Sequence, residues 1–186
     1  MRRRDFIRYL GLGSVAVTIP EAMHAVPAAA TTLCSDKKTK PISGSWFEFQ
    51  HSAAEGGYWN EALAHFTADQ WRRKVFEIRE VGMEYLVLMG VARAGKPFYP
   101  SKIAPRIPMG CDDPLEAVLS AADECGIKFF VSNDFWGDLD AYNMMLDKGV
   151  QTVRFQAMEE IAERYSHHAC FYGWYFPNEA IDRKSV

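Results

Sequence analysis

The sequence has little cysteine and no motif that marks a cysteine metal site. Its four cysteines, Cys34, Cys111, Cys125 and Cys170, form no CxxC pair and no metal-binding spacing. We therefore expect isolated thiols, although one disulfide could form if the chain works outside the cytoplasm. We expect no cofactor.

The sequence also has no excess of positive charge. Of its 21 Lys and Arg and 24 Asp and Glu residues, four bases and two acids fall within residues 1–30, which leaves 17 bases and 22 acids, a net charge of −5. Nucleic acids and anionic membranes attract basic surfaces. The balance therefore disfavours nucleic acid as a partner, and we expect no stable membrane association.

The N-terminus lacks an apolar run long enough to span a bilayer, since Gly11, Gly13 and Ser14 interrupt it. It begins instead with Arg3-Arg4-Asp5-Phe6-Ile7-Arg8, which resembles the twin-arginine export consensus. Ala28-Ala29-Ala30 fits a small-residue cleavage site. We predict a twin-arginine signal peptide at 1–30, a linker at 31–41 and a periplasmic or extracellular location.

Apolar runs alternate with amphipathic helices in the rest of the chain. Strands are predicted at 42–49, 84–90, 127–132 and 171–176. Helices are predicted after Thr67, whose capping box includes Gln70, after Asp113, which precedes Pro114, and over 150–165, with Gly149 as a break. Gly82 and Gly126 are expected to end the first two helices.

Strands that are separated by helices indicate an α/β protein with a parallel sheet. An open doubly wound sheet and a (β/α)8 barrel both fit this pattern. The loops after the strands are long, polar and aromatic, which favours a TIM-barrel type of fold. Such a barrel has eight strands, so residues 42–186 are predicted to form its N-terminal half, with about four β/α units. Self-association through the open sheet edges is also expected.

Functional side chains of a barrel lie at the carboxyl ends of its strands. The polar and aromatic candidates that follow the four predicted strands are Glu48, Gln50, His51, Trp59, Arg93, Asn133, Asp134, Trp136, Asn178 and Glu179. Aromatic rings such as Trp59 and Trp136 suit the apolar faces of sugars. The opposite rim is chemically plainer, and His167-His168 there is predicted to be structural.

Glu179 is the main catalytic candidate. The aromatic run before it should lower the local dielectric, which favours the protonated carboxyl group that a general acid needs. Asn178 could hydrogen-bond a substrate hydroxyl beside the reacting centre. Glu48 and Asp134 could bind hydroxyls or serve as a partner carboxylate.

The segment Gly173-Trp174-Tyr175-Phe176-Pro177-Asn178-Glu179 resembles the fourth strand of retaining glycoside hydrolase barrels. With 44–50 it also resembles a family of secreted, glycosidase-like bacterial barrels of uncharacterised function. The resemblance implies that Glu179 is the acid/base, that Asn178 contacts a sugar hydroxyl, and that carbohydrate is the ligand. It also implies a second carboxylate on strand seven, so the chain alone is expected to be inactive unless Glu48 or Asp134 substitutes.

Two other functions remain open. In a metal-dependent sugar isomerase or epimerase, Glu48, His51, Asp134 and Glu179 would be oxygen and nitrogen ligands for Mg²⁺ or Mn²⁺. In a carbohydrate-binding relic, the aromatic residues would bind sugar without any catalysis.

Overall fold

The computed structural model describes residues 40–50, 61–134, 136–137 and 147–176. Apart from Lys40, these residues belong to one compact unit that begins at Pro41. The predicted signal peptide lies outside the described residues, as do Cys34 and four of the candidate site residues, His51, Trp59, Asn178 and Glu179.

The described strands and helices alternate along the chain as predicted. They are β1 (Gly44–Phe47), α1 (Ala68–Glu80), β2 (Tyr85–Leu88), β3 (Ala92–Arg93), β4 (Lys96–Pro97), α2 (Pro114–Cys125), β5 (Lys128–Ser132), α3 (Lys148–Tyr165) and β6 (Phe171–Tyr175). Each predicted strand is present within its predicted bounds. A short 3-10 helix, Glu61–His65, lies in a segment that the sequence indicated as loop.

The main sheet has the strand order β1-β2-β5-β6, and all three neighbouring pairs are parallel. Each strand therefore lies beside the next long strand in the chain, without the reversal of order that marks a doubly wound sheet. This order is the one found in a β/α barrel, and the prediction of a partial barrel is confirmed. The hairpin of β3 and β4, which turns at Ala94 and Gly95, was not predicted.

The helix ends follow from local sequence chemistry. The Thr67 Oγ1 accepts the Gln70 N–H at 3.3 Å, and the Gln70 Oε1 accepts the Thr67 N–H at 2.8 Å, which completes the predicted capping box. Asp113 caps α2 through the Glu116 N–H at 3.0 Å. Gly126 ends α2 at φ 72°, a left-handed conformation that favours glycine.

The start of α3 corrects one prediction. Gly149 does not break the chain between elements but lies within the first turn of α3. The Asp147 carboxylate accepts the N–H groups of Gly149 at 2.7 Å and Val150 at 3.0 Å. This N-cap supplies acceptors for amides that have no partner within the helix, so the helix can begin before the glycine.

The core lies between the helices and one face of the sheet. Phe47, Leu88 and Phe129 project from the strands into this layer, where the Phe47 ring packs at 6.0 Å from Trp71 of α1. Val118 of α2 is also fully buried there. The apolar sides of the amphipathic helices therefore face the sheet, and burial of these large side chains is the main stabilising contribution.

The opposite face of the sheet is also aromatic but more exposed. Tyr172 is 55% exposed, and its ring lies 5.2 Å from Phe130 and 6.2 Å from Tyr85. The Lys128 ammonium group lies 4.5 Å from the centre of the Tyr172 ring. In a closed barrel this face is the packed interior. Four strands leave it partly open to solvent.

Cys111, Cys125 and Cys170 are free thiols, as expected. Among the described helices, none combines the length and the apolar character needed to cross a bilayer.

Candidate functional site

The carboxyl ends of the four long strands meet at one rim of the sheet. The Met89 N–H donates to the Phe47 carbonyl at 3.0 Å, which aligns the ends of β1 and β2. The Asn133 N–H donates to the Tyr175 carbonyl at 3.2 Å, which aligns the ends of β5 and β6. Residues that follow these strands therefore leave the sheet on the same side.

Glu48 and Gln50 follow β1 at this rim, and both are half-buried. Phe47 and Phe49, on either side of Glu48, both pack against Trp71. Because side chains alternate along an extended chain, Glu48 is placed on the opposite side, away from the helices.

Asp134 follows β5 and forms a buried ion pair. Its Oδ1 lies 2.7 Å from the Arg154 Nη2, and the two side chains are 2% and 6% exposed. The Asp134 N–H donates to the Ser132 Oγ at 3.1 Å, which fixes the backbone where the strand ends. Asp134 is thus held at the rim by α3, which supplies the arginine.

Asn133 and Trp136 are more deeply buried than open ligand-binding residues would be. The Asn133 side chain is 2% exposed, and its Nδ2 lies 3.5 Å from the Met158 Sδ. Trp136 is 5% exposed, and its ring packs edge-on against Tyr99 with centroids 6.5 Å apart. In this structure the Trp136 ring fills the core beneath the loops, so its faces are not open for stacking on a sugar.

Glu160 of α3 organises the loop after β4, and the sequence pattern did not reveal it. Its Oε2 accepts the Tyr99 hydroxyl at 3.1 Å and the Ser101 hydroxyl at 2.6 Å, and its Oε1 accepts the Lys102 N–H at 2.6 Å. Burial and the nearby Glu160 charge raise the pKa of Tyr99 well above its ordinary value. Glu160 therefore positions the loop beside the rim.

A second polar cluster lies between α2 and the segment that leads into β6. The His168 Nδ1 lies 2.7 Å from Asp123 Oδ2, and its Nε2 lies 3.1 Å from Glu116 Oε2. Burial lowers the pKa of His168, but the hydrogen bonds with Glu116 and then Asp123 outweigh burial, so the net shift is upward. His168 is therefore held by two carboxylates of α2 that are 45 and 52 residues away in sequence, which is the structural role predicted for it.

Asp113 and Tyr165 form a neighbouring contact. The Tyr165 hydroxyl lies 2.8 Å from Asp113 Oδ2 and 3.0 Å from Oδ1. Burial raises the pKa of Asp113 despite the opposing hydrogen bonds from the Glu116 amide and the Tyr165 hydroxyl. This pair connects the N-terminus of α2 to the last turn of α3.

These features define a partial β/α barrel. Adjacent strands are parallel and follow chain order, the helices pack on one face of the sheet, and the polar groups lie at the carboxyl ends of the strands. The chain belongs to the family described as a domain of unknown function, DUF4434, which matches residues 42–185. The search of curated proteins finds no significant match.

One solved structure supports the fold, and a second is similar over a smaller part of the chain. A protein assigned as an alpha-L-fucosidase from Bacteroides thetaiotaomicron VPI-5482 matches with a TM-score of 0.53 and 14% identity, over 83% of this chain and 46% of that chain. An alpha-L-fucosidase GH29 from the same species matches at 0.44 and 18% identity, over 72% and 38%. This chain spans less than half the length of either relative, and the first match confirms the β/α-barrel type of fold.

Proposed function

We propose that this chain is the carbohydrate-binding part of a glycoside hydrolase-like barrel and that Glu179 is its general acid/base. The observation that carries the proposal is the arrangement of the strand ends. The chain leaves β6 at Tyr175, beside Asn133, which follows β5, and Asn178 and Glu179 come within the next four residues. The fold of the solved fucosidase with the TM-score of 0.53 supports the same reading.

The proposed chemistry is acid-assisted cleavage of a glycosidic bond. Glu179 would protonate the leaving oxygen, and Asn178 would hydrogen-bond a sugar hydroxyl next to the reacting carbon. A retaining enzyme needs a second carboxylate about 5–5.5 Å from the first. Asp134 is paired with Arg154, and Glu160 accepts three hydrogen bonds. Both carboxylates are thus committed to structural contacts, so we propose that neither of them is the nucleophile. Glu48, which is half-buried at the same rim, is the described carboxylate that could substitute for it.

Two alternatives differ from this proposal in what they bind or do. A metal-dependent isomerase would use Asp134 as a ligand, but its Oδ1 already lies against an arginine, which opposes a cation at that atom. A carbohydrate-binding protein without catalysis fits the commitment of Asp134 and Glu160. We therefore keep it as the second candidate.

A glycan array with the full chain, followed by calorimetry on the best glycan, tests the binding proposal. We expect saturable binding that is weakened at least tenfold by Asn178→Ala. The matched control is Gln156→Ala, an exposed amide side chain of α3, which is expected to retain affinity within about twofold. If the array shows no glycan bound, the carbohydrate proposal is wrong.

The catalytic role needs a form of the barrel that carries the second carboxylate. There, Glu179→Gln should reduce hydrolysis of a glycoside with a poor leaving group by about 10²–10⁴-fold. For a glycoside whose leaving group needs no protonation, the rate of hydrolysis should decrease much less. Equal losses on both substrates, or an unchanged rate on both, would contradict the acid/base role.

We also propose export by the twin-arginine route, on the basis of residues 1–30. Fusion of this segment to a reporter that is active only after export tests the proposal. Replacement of Arg3 and Arg4 by lysine should block export, whereas Arg8→Lys should have a smaller effect. Export that survives the double replacement would contradict the proposal.

A further inference from the structure

The segment that leads into β6 contacts α2 through side chains of the types that bind metal ions. The Cys170 N–H donates to Asp123 Oδ1 at 2.6 Å, and the other oxygen of Asp123 lies 2.7 Å from the His168 Nδ1. His168 is 7% exposed and Cys170 is 5% exposed. One carboxylate oxygen, one imidazole nitrogen and one sulfur of these residues all lie within 4.8 Å of one another.

We propose that Asp123, His168 and Cys170 form a Zn²⁺ site that fixes the start of β6 to α2, with Glu116 as the positioning residue for His168. This site lies where β6 begins, whereas the proposed acid/base Glu179 follows its other end. The proposal is therefore independent of the carbohydrate function. A fourth ligand would be water.

The donor set has the chemistry that zinc prefers. Thiolate, imidazole and carboxylate bind Zn²⁺ at about 2.0–2.3 Å in tetrahedral geometry, which places ligand atoms about 3.3–3.8 Å apart. The present separations, all within 4.8 Å, require shifts of about 1 Å. Binding would release the proton shared between His168 and Asp123 and the proton of the Cys170 thiol, which now donates to the Leu119 carbonyl at 3.2 Å.

Glu116 supplies an observation independent of the three ligands. A histidine that binds a metal through one ring nitrogen usually donates its other N–H to a carboxylate, which fixes the tautomer and the ring orientation. The His168 Nε2 lies 3.1 Å from Glu116 Oε2, and the Nδ1 lies 2.7 Å from Asp123 Oδ2, so Nδ1 is the nitrogen left for the metal. Glu116 is itself held by the Ser120 hydroxyl at 2.8 Å.

His167 belongs to an alternative trio of possible metal ligands, and the experiment must distinguish that trio from the proposed one. Glu116, His167 and His168 also bring one ligand atom each within 4.8 Å. That trio contains no sulfur, and His167 is exposed. Because Co²⁺ gives an intense thiolate-to-metal charge-transfer band only when it binds sulfur, absorption spectroscopy distinguishes the two trios.

The test is a Co²⁺ titration of the metal-stripped full chain, followed by displacement with Zn²⁺. We expect one Co²⁺ per chain with a thiolate charge-transfer band that Zn²⁺ abolishes. Cys170→Ser should remove the band, and Asp123→Asn should weaken affinity at least tenfold. Glu116→Gln should weaken affinity about 10–100-fold but keep the band, as expected of a positioning residue.

Cys125→Ser is the matched control, because the Cys125 Sγ donates to the Ala122 carbonyl at 3.8 Å and does not belong to the trio. It and His167→Gln should leave the band and the affinity unchanged. Circular dichroism of each metal-free variant establishes that it is folded, and if Cys170→Ser unfolds, the loss of affinity in folded Asp123→Asn decides the question. Absence of the band in the wild-type chain, or its survival in folded Cys170→Ser, overturns the proposal.

Discussion

The rings of Trp46 and Tyr175 lie 5.0 Å apart, although their strands are the two outermost strands of the main sheet. Two strands, β2 and β5, separate them. Neighbouring strands are about 4.8 Å apart, so a flat sheet would hold β1 and β6 about 14 Å from each other. The contact therefore shows that the sheet curves strongly toward the face that carries these rings, as the wall of a barrel does.

The contact between Trp46 and Tyr175 should stabilise this curvature measurably. We predict a coupling free energy of about 0.5–1.5 kcal/mol in a double-mutant cycle of Trp46→Ala and Tyr175→Ala, because tilted aromatic pairs contribute this much beyond burial. Urea unfolding of the four proteins gives the value. The control cycle pairs Trp46→Ala with Phe176→Ala, since Phe176 is 56% exposed. Equal coupling in both cycles would show that the ring contact is not the cause.

Because Asp134 and Arg154 form a buried ion pair, replacement of either residue alone should strongly lower the free energy of unfolding. Asp134→Asn or Arg154→Met alone leaves the other charge buried, and we predict a loss of about 3–5 kcal/mol in the free energy of unfolding. The double variant should lose less than the sum of the two.

Arg72→Met provides the matched comparison for the buried pair, because Arg72 pairs with Glu124 on the surface at 2.6 Å, with side chains 29% and 55% exposed. That replacement should cost at most about 1 kcal/mol. Additive losses for Asp134 and Arg154 would show that the two charges do not depend on each other for their burial.

The sequence predicts the order of the strands and helices because the relevant information is local. The Thr67 and Gln70 capping box, the Asp113-Pro114 start of α2 and the glycine at 126 all act within one helical turn. The continuous apolar runs likewise identify the strands. Three features differ from the prediction. The hairpin of β3 and β4 and the short 3-10 helix are not predicted, and α3 begins earlier because Asp147 caps it two residues before Gly149, where a break is predicted.

The polar contacts could not be predicted in the same way, since their partners are far apart in sequence. Asp134 was predicted as a rim residue, but only the fold shows that Arg154 neutralises it, 20 residues away. Glu160 and Lys102 are 58 residues apart.

Glu160 should govern the stability of the loop that contains Ser101 and Lys102. Because its carboxylate accepts three hydrogen bonds, we predict that Glu160→Gln lowers the free energy of unfolding by about 1–3 kcal/mol, and Ser101→Ala by about 0.5–1.5 kcal/mol. Limited proteolysis should show faster cleavage in this loop. Glu159→Gln, on the exposed side of α3, is the control and should change stability by less than about 0.5 kcal/mol. A similar loss for both glutamates would contradict the role of Glu160.

Because of Asp113, the free energy of unfolding should decrease as the pH rises from about 4 to the folded pKa of this residue. Its folded pKa is raised, chiefly by burial, and the Glu116 charge acts in the same direction while Arg164 opposes it. The folded chain therefore keeps the Asp113 proton at pH values where the unfolded chain, with an ordinary pKa of about 3.9, has lost it. Since the folded state then binds more protons, the contribution of Asp113 to stability decreases from about pH 4 up to the folded pKa and is constant above it.

Comparison with Asp113→Asn isolates this effect, because asparagine also caps helices but does not titrate. The free energy of unfolding of the variant minus that of the wild type should increase as the pH rises above about 4 and should become constant above the folded pKa of Asp113. Urea unfolding at several pH values measures it, with Asp112→Asn, an exposed neighbour that pairs with Arg106, as the control. A difference that decreases with pH would mean that the Tyr165 hydroxyl and the Glu116 amide stabilise the Asp113 carboxylate more than burial destabilises it.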